Sequence, residues 1–187
     1  MSNRIKIFLF FAHLSYFPAL AQVDTAWVMR YEGVGFGEDV PTDIEVDDNG
    51  NVYVTGYSDG YITYYDYATV KYSPNGDVFW VSRYIGLNIG DWPADWASAL
   101  AIDDSGNAYV TGSSFNGISY DYATIKYNLN GDTMWVRRYN GPSNGDDGAS
   151  ALAVDRNGNV YVTGWSWNGS TYDYTTIRYT TDGELCG

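Results

Sequence analysis

The chain has 187 residues, enough for one ordinary domain, and its 23 acidic and 10 basic residues give a net charge of −13. Such an acidic surface repels phosphate backbones, so we expect no nucleic-acid partner. The single cysteine, Cys186, excludes a disulfide within the chain, so stability must come from packing.

The N-terminal segment has the layout of a secretory signal peptide. Two basic residues precede an apolar run over residues 7–12, which is too short to span a bilayer, and a small-x-small cleavage site follows at 19–21. The alternative is a hydrophobic first strand. We expect residues 1–21 to be a signal peptide and residues 22–187 to be the mature domain. The protein would then be secreted or held at the cell surface, without a membrane span and without its one histidine, His13.

After this segment one cassette recurs three times, with glycines at 50, 106 and 158 and a period of roughly fifty residues. Each copy holds, in order, a run of small and apolar residues, an Asp-x-x-Gly-Asn turn and a Val-Tyr-Val-Thr strand or its variant. A variable loop and a Tyr-Asp-Tyr-Ala-Thr or Tyr-Asp-Tyr-Thr-Thr strand follow. The first two copies end in a Trp-Val-x-Arg-Tyr strand. The turn glycines suit the positive φ of tight hairpins, and the β-branched and aromatic runs suit strands.

Four short antiparallel strands in a meander form the unit of a β-propeller blade. A β-sandwich, the alternative, does not predict three near-identical cassettes. We therefore predict an all-β protein of three four-stranded antiparallel blades, as an incomplete ring or as part of a larger propeller. The blades should cover about 42–84, 98–139 and 150–183, with 26–31 as an additional outer strand.

The repeated phrases Asp-x-x-Gly-Asn-Val-Tyr-Val-Thr-Gly-x-Ser, Asp-Tyr-Ala-Thr-Ile-Lys-Tyr and Gly-Asp-x-x-Trp-Val-x-Arg-Tyr resemble the SBBP repeat of exported bacterial β-propellers. The resemblance covers nearly all of 26–183 and implies the propeller fold, but it implies no common activity. The Gly-Asp-x-x-Trp piece is also partly similar to the tryptophan-docking motif of quinoprotein propellers.

The number of strands does not suffice for a closed ring, because about four blades is the fewest that close. Residues 26–31 could complete the third blade, but two faces of the arc would still be open. Two interpretations follow. The chain could be the N-terminal part of a longer propeller, a fragment without independent function, or two copies could join head to tail into a six-bladed ring.

The sequence predicts no catalytic residue, no metal site and no cofactor. The expected mature chain, which lacks His13, has neither Ser-His-Asp machinery nor the common zinc sites with histidine ligands. Neighbouring acids could support a carboxylate-dependent lyase or glycosidase, but they are expected to be solvated loop acids. These pairs are Glu38/Asp39, Asp91/Asp95 and Asp146/Asp147. The acidic turn at 47–51 could suggest calcium, although hairpin chemistry explains it better.

Strand direction places the loops between second and third strands, and the loops between blades, at the same end of the molecule. These loops vary among the copies while the strands hardly do, which is typical of a binding face on a fixed scaffold. Exposed rings there would suit stacking on a glycan or contact with a protein, and the alternative is that they wedge between blades. The candidate ligand-binding residues are Tyr57, Tyr61, Trp92, Trp96, Phe115, Trp165 and Trp167.

Overall fold

A computed structural model describes residues 26–87 and 94–186, so the predicted signal peptide at 1–21 lies outside the described residues. Within the described part every regular element is a β-strand, and no helix there is long and apolar enough to cross a membrane. The strands are β1 (Asp39–Val46), β2 (Val52–Asp59), β3 (Tyr65–Tyr72), β4 (Val78–Tyr84), β5 (Asp95–Ile102), β6 (Ala108–Phe115), β7 (Tyr120–Tyr127), β8 (Thr133–Tyr139), β9 (Asp147–Val154), β10 (Val160–Trp167) and β11 (Tyr172–Tyr179).

The strands form three antiparallel meanders, which confirms the predicted blades. Blade 1 is β1–β4, blade 2 is β5–β8 and blade 3 is β9–β11. Blade 3 has three strands within the described residues, and a single bridge between Tyr179 and Leu185 stands where its fourth strand would begin. Tight turns join the first two strands of each blade; in blade 2 the turn closes on Gly106, whose φ of +76° suits glycine.

The first strand of each blade begins three residues earlier than the sequence pattern indicated, at Asp39, Asp95 and Asp147. The reason is a bulge: the pairing register shifts between Ala97 and Ala99 in blade 2, and similar shifts occur in the other two blades. The strand therefore continues past an irregular point. Gly112 lies opposite, and any side chain there would collide with the main-chain carbonyl of Trp96.

Each blade has a forward face, directed towards the next blade in the chain, and a rear face, directed towards the preceding one, and two interfaces join the three blades. At the first interface the forward face of blade 1 supplies Tyr53, Tyr67 and Trp80. The rear face of blade 2 supplies small and branched side chains and one tyrosine: Ala108, Val110, Ala123, Ile125 and Tyr127. Large rings thus fill the space above small residues, and this burial of apolar surface holds the blades together.

The second interface repeats the first, with Tyr109, Tyr122 and Trp135 packed on blade 3. Hydrogen bonds recur with the same geometry. The Tyr67 hydroxyl donates to the Ala123 carbonyl at 3.3 Å, and the Tyr122 hydroxyl donates to the carbonyl of Thr175 at 3.3 Å. The interface is therefore a modular unit that one blade presents to the next.

A tryptophan of each outer strand docks on the last turn of the following blade. The indole Nε1 of Trp80 donates to the Leu129 carbonyl at 3.0 Å, and that of Trp135 donates to the Thr181 carbonyl at 3.0 Å. Both indoles are almost fully buried. These tryptophans belong to the Gly-Asp-x-x-Trp phrase that the sequence analysis compared with a docking motif.

Residues 26–31 are not paired into a sheet, so the predicted strand there is absent, and they do not complete blade 3. They nevertheless make the contacts of an outer strand against blade 1. Trp27 Nε1 donates to the Pro74 carbonyl at 3.1 Å, as Trp80 does one blade further on. Arg83 donates to the Tyr31 hydroxyl at 3.0 Å. The segment lies where the outer strand of a preceding blade would lie, and the strand assignment fails because the described residues hold no sheet there for it to join.

The three blades therefore form an open arc rather than a closed ring. The rear face of blade 1 and the forward face of blade 3 are its two ends. Tyr174 on the forward face of blade 3 is 96% exposed, whereas its equivalents Tyr67 and Tyr122 are 0% exposed. The two ends are large apolar surfaces that would be buried between blades elsewhere in the same molecule.

Candidate binding face

The loops between blades and the loops between second and third strands lie at one end of the arc, which we call the loop end. Its described parts are residues 32–38, 60–64, 85–87 with 94, 116–119, 140–146 and 168–171. The antiparallel meander requires this arrangement, because every second connection returns to the same end. All the described candidate residues lie at this end or in the strand ends next to it.

In blade 3 an aromatic cluster forms around Tyr172, the first residue of β11. The Tyr172 ring centroid lies 5.1 Å from that of Trp165 and 5.0 Å from that of Trp167. Trp165 packs over Gly148 and Trp167 over Gly145, and a side chain at either glycine would collide with the indole. Trp165 and Tyr172 are exposed and Trp167 is half-buried.

Similar clusters of different composition occur in the other two blades, again centred on the tyrosine that begins the third strand. The Tyr120 ring centroid lies 4.9 Å from that of Trp96 and 5.3 Å from that of Phe115. The rings of Tyr57 and Tyr65 meet edge to face at 5.1 Å. All five rings are half-buried. The sequence analysis missed the central tyrosines, although the repeated Tyr-Asp-Tyr phrase marks them.

One described candidate, Tyr61, stands apart from these clusters. Tyr61 is 68% exposed and lies edge to face against Phe36, with ring centroids 5.8 Å apart. It adopts a φ of 67°, an uncommon backbone conformation for a residue other than glycine. Trp92 lies outside the described residues. The structure thus brings five of the seven candidates into three similar clusters.

Asparagines at the loop end shape the loops themselves. Asn168 Oδ1 accepts hydrogen bonds from the backbone amides of Ser170 and Thr171, at 2.8 and 2.9 Å. Its Nδ2 donates to Asp173 at 2.6 Å. Asn116 plays the same part in blade 2, with Asp121 as the acceptor. These amides are engaged within the protein, so recognition of a ligand would depend on the aromatic rings more than on them.

The paired acids are not uniformly solvated, which corrects the expectation from sequence. Asp147 is 0% and Asp95 4% exposed, while Glu38 and Asp146 are exposed. In an extended backbone, neighbouring side chains point to opposite sides. This alternation explains why Asp147 is buried while its neighbour Asp146 is exposed. Asp147 accepts hydrogen bonds from the backbone amides of Gly141 and Trp167, and Asp95 accepts one from Gly86. Such buried acids brace the loop between blades and are poorly placed to reach a glycosidic bond. Asp91 lies outside the described residues.

In each of the first two blades a buried aspartate pairs with a partly exposed arginine. Arg83 contacts Asp66 at 2.8 Å, and Arg138 contacts Asp121 at 3.4 Å. Arg138 also donates to Ser114 at 2.6 Å and to the Tyr84 hydroxyl at 3.1 Å, so it ties blade 2 to blade 1. The sequence analysis did not single out these aspartates or their arginine partners. The arginine that recurs in the Trp-Val-x-Arg-Tyr phrase is the sequence feature that could have revealed these pairs.

The opposite end of the molecule is built from short acidic turns that serve the fold. Asp103 accepts hydrogen bonds from the backbone of Ser105 and Asn107, from the Asn107 side chain and from the Tyr109 hydroxyl. Burial opposes ionisation, but these hydrogen bonds outweigh it and lower the pKa of Asp103. Asp47 and Asp155 make the same bonds in blades 1 and 3. The oxygens a cation would need are therefore engaged, in agreement with the hairpin interpretation.

Asp95 gives the loop end a pH-dependent contribution to stability. Burial raises the pKa of Asp95 above the ordinary value of 3.8, and the Gly86 amide only partly offsets this. A carboxyl group whose pKa is higher in the folded protein than in the unfolded chain stabilises the fold below pH 3.8. This contribution is lost as the pH rises through the folded-state pKa. We expect Asp95→Asn to gain free energy of unfolding relative to wild type across that window and then to level off. Urea unfolding at pH 3.5 to 7 measures the difference.

The control for this experiment is Asp104→Asn, at an exposed turn position of the same blade. Its difference from wild type should show no comparable rise between pH 3.5 and 7. A constant difference between Asp95→Asn and wild type over the whole range would show that Asp95 ionises in the folded protein as readily as in the unfolded chain.

Repeated four-stranded meanders and docked tryptophans define the class of this protein as a β-propeller-type repeat protein. The model of the SBBP family, described as a β-propeller repeat, matches residues 29–62, 82–118 and 135–170, more than half of the chain. The chain belongs to this family, as its motifs predicted. No curated protein is significantly similar to it in sequence.

Similar solved structures include a gluconolactonase from Xanthomonas campestris, at 19% identity and a TM-score of 0.43. The similarity covers 78% of this chain and 45% of that one. A structure titled glycoside hydrolase is similar at 15% identity and a TM-score of 0.36, over 76% of this chain and 33% of that one. This chain thus spans less than half the length of either protein.

Proposed function

We propose that the protein is an exported, non-catalytic β-propeller scaffold whose loop end binds a glycan through its aromatic clusters. The observation that carries the proposal is the repeated cluster around Tyr120 and Tyr172, in which indole and phenyl rings lie partly open at the loop end. Flat aromatic surfaces stack on the apolar faces of sugar rings and lose little side-chain entropy on binding. A protein ligand on the same face is the alternative outcome.

The construction of the loop end supports binding rather than turnover. Asp95 and Asp147 are buried beneath the loops and hydrogen-bonded to backbone amides, so they hold the loops in place. The rings therefore lie on a rigid support, which favours affinity because little freedom is lost when a ligand binds. The predicted signal peptide supports an extracellular location, where glycans are abundant ligands.

We expect the purified protein to bind at least one class of glycan on an array, and Trp165→Ala/Trp167→Ala to weaken that binding about tenfold or more, which corresponds to about 1.4 kcal/mol. Loss of two stacking surfaces is the physical reason. Phe79→Ala is the matched control, because Phe79 is an exposed ring of β4 away from the loop end. Unchanged binding by the double variant would remove this cluster from the proposal. Binding of proteins but of no glycan would favour the alternative.

A further inference from the structure

The two ends of the arc carry the two halves of one interface. On the rear face of blade 1 an apolar groove of about 250 Å³ is lined by residues equivalent to those that blade 1 covers on blade 2. These residues include Val52, Val54, Ala68, Val70 and Tyr72. The forward face of blade 3 offers exposed Tyr161 and Tyr174, whose equivalents Tyr53 and Tyr67 are fully buried at the first interface. The rear face of blade 1 therefore has the residues that a forward face covers, and the forward face of blade 3 has the residues that pack on a rear face.

The backbone shows the same complementarity. In blades 1 and 2 the third strand pairs with an outer strand, with Thr69 opposite Ser82 and Thr124 opposite Arg137. In blade 3 the corresponding edge of β11 is unpaired over most of its length. Residues 27–31 have the sequence of an outer strand and contact blade 1 as one would, but they lie outside any sheet. Among the described residues, one end of the arc therefore lacks an outer strand and the other presents a segment with the sequence of one.

A charged cluster is incomplete in the same way. Arg138 joins Asp121, Ser114 and the Tyr84 hydroxyl in blade 2, and Arg83 joins the equivalent residues in blade 1. Blade 3 has the equivalents Ser166, Asp173 and Tyr139, but the described residues supply no arginine there. Asp173 is exposed, whereas Asp121 is buried.

An arginine of the required kind lies at the other end of the arc, beside blade 1. In the phrase Trp-Val-x-Arg-Tyr, Arg30 takes the place of Arg83 and Arg138, and it is exposed. Asp173 on one half of the interface therefore has no arginine partner among the described residues, and Arg30 on the other half is an arginine at the equivalent position. An ion pair between them would gain strength from the burial that docking brings.

We propose that a second copy of this chain docks head to tail, so that its residues 27–31 add to β11 and its Arg30 pairs with Asp173. The rear face of its blade 1 then covers Tyr161 and Tyr174. Tyr174 would donate to the carbonyl of Ala68 in the second copy, as Tyr122 donates to Thr175 within the chain. Two such contacts related by a twofold axis close two arcs into one six-bladed ring. The proposal does not depend on the ligand of the loop end.

Sedimentation velocity at micromolar concentration tests the docking. The protein is expected to be a dimer, and Arg30→Asp or Asp173→Arg should raise the dissociation constant about thirtyfold or more, because each leaves like charges facing in a desolvated interface. The double variant with the charges exchanged should recover dimerisation. Arg156→Asp, at an exposed turn, is the control and should remain dimeric. Because Arg30 and Asp173 are exposed in the single chain, these variants should keep the far-ultraviolet dichroism of the wild type.

Cysteine cross-linking tests the register. Met29 should lie opposite Thr176, as Ser82 lies opposite Thr69. In a Cys186→Ser background, Met29→Cys/Thr176→Cys should form a covalent dimer on mild oxidation, since opposed residues have Cβ separations that suit a disulfide. Val28→Cys/Thr176→Cys, one residue out of register, should cross-link far less. A monomeric wild type, a ladder of longer oligomers, or charge exchange that fails to restore the dimer would overturn the proposal.

Discussion

Replacing Arg138 with methionine is expected to lower the free energy of unfolding by about 3 kcal/mol, the lower part of the range for breaking a buried ion pair. The lower value is appropriate because Arg138 is partly exposed. The change removes the cation beside Asp121 and the donors to Ser114 and the Tyr84 hydroxyl. Methionine keeps most of the apolar volume, so the loss reports the charge and hydrogen bonds rather than a cavity. Urea denaturation at pH 7 measures it.

The pH dependence of this variant has a definite sign. Burial already raises the pKa of Asp121, with Asn116 and Arg138 opposing the rise, so loss of Arg138 should raise the pKa further. A carboxyl with a raised folded-state pKa destabilises the fold as it ionises. The difference between Arg138→Met and wild type should therefore be smallest below pH 3.8, where the lost hydrogen bonds to Ser114 and Tyr84 account for it, and should grow as the pH rises.

A double-mutant cycle separates the ion pair from other effects. Adding Asp121→Asn to Arg138→Met should restore at least about 1 kcal/mol, because the buried carboxylate without its cation is then gone. Arg137→Met is the neighbouring control: Arg137 is more exposed, so its loss should cost less. A change of less than about 0.5 kcal/mol in Arg138→Met would show that Asp121 does not depend on this cation.

The arginine clusters mark the limit of the sequence reasoning. Strand type, strand order and blade number followed from local signals, namely turn glycines and runs of β-branched and aromatic residues. The pairing of Arg138 with Asp121 joins residues in neighbouring strands, and its Tyr84 contact crosses to another blade. Such contacts follow from the tertiary arrangement and leave only an indirect trace in the repeated phrases.

The buried acids were misjudged for a related reason. Asp95 and Asp147 stand in glycine- and acid-rich sequence that is typical of an exposed loop. The strand in fact extends through them, beyond a bulge that interrupts the pairing pattern. Position relative to the bulge, rather than composition, determines which acid is buried. The sequence analysis chose the candidate rings because aromatic residues stand out in variable loops, and it overlooked their central tyrosines as ordinary strand residues.

Trp80→Ala should be the most damaging single change at the interface between blades 1 and 2. We expect a loss of about 3 to 5 kcal/mol, the usual range for truncating a buried tryptophan. The indole packs against Tyr53 and Tyr127, with ring centroids 6.0 and 6.1 Å away, and donates to the Leu129 carbonyl. Its removal leaves a cavity and an acceptor without its donor. Thermal unfolding by calorimetry measures the loss.

The same change should alter cooperativity, because each blade of a repeat protein is stabilised largely by its neighbours. Blade 1 should begin to unfold before blades 2 and 3, giving a broadened or two-step transition. Trp27→Ala is the matched control: it removes an equivalent indole and the equivalent hydrogen bond, to Pro74, at a half-buried site. With both changes made in the Arg30→Asp background, which should keep the chain monomeric, Trp27→Ala should cost clearly less than Trp80→Ala and should leave the contact between blades 1 and 2 intact. Equal losses from the two variants would mean that tryptophan docking stabilises each turn locally rather than joining one blade to the next.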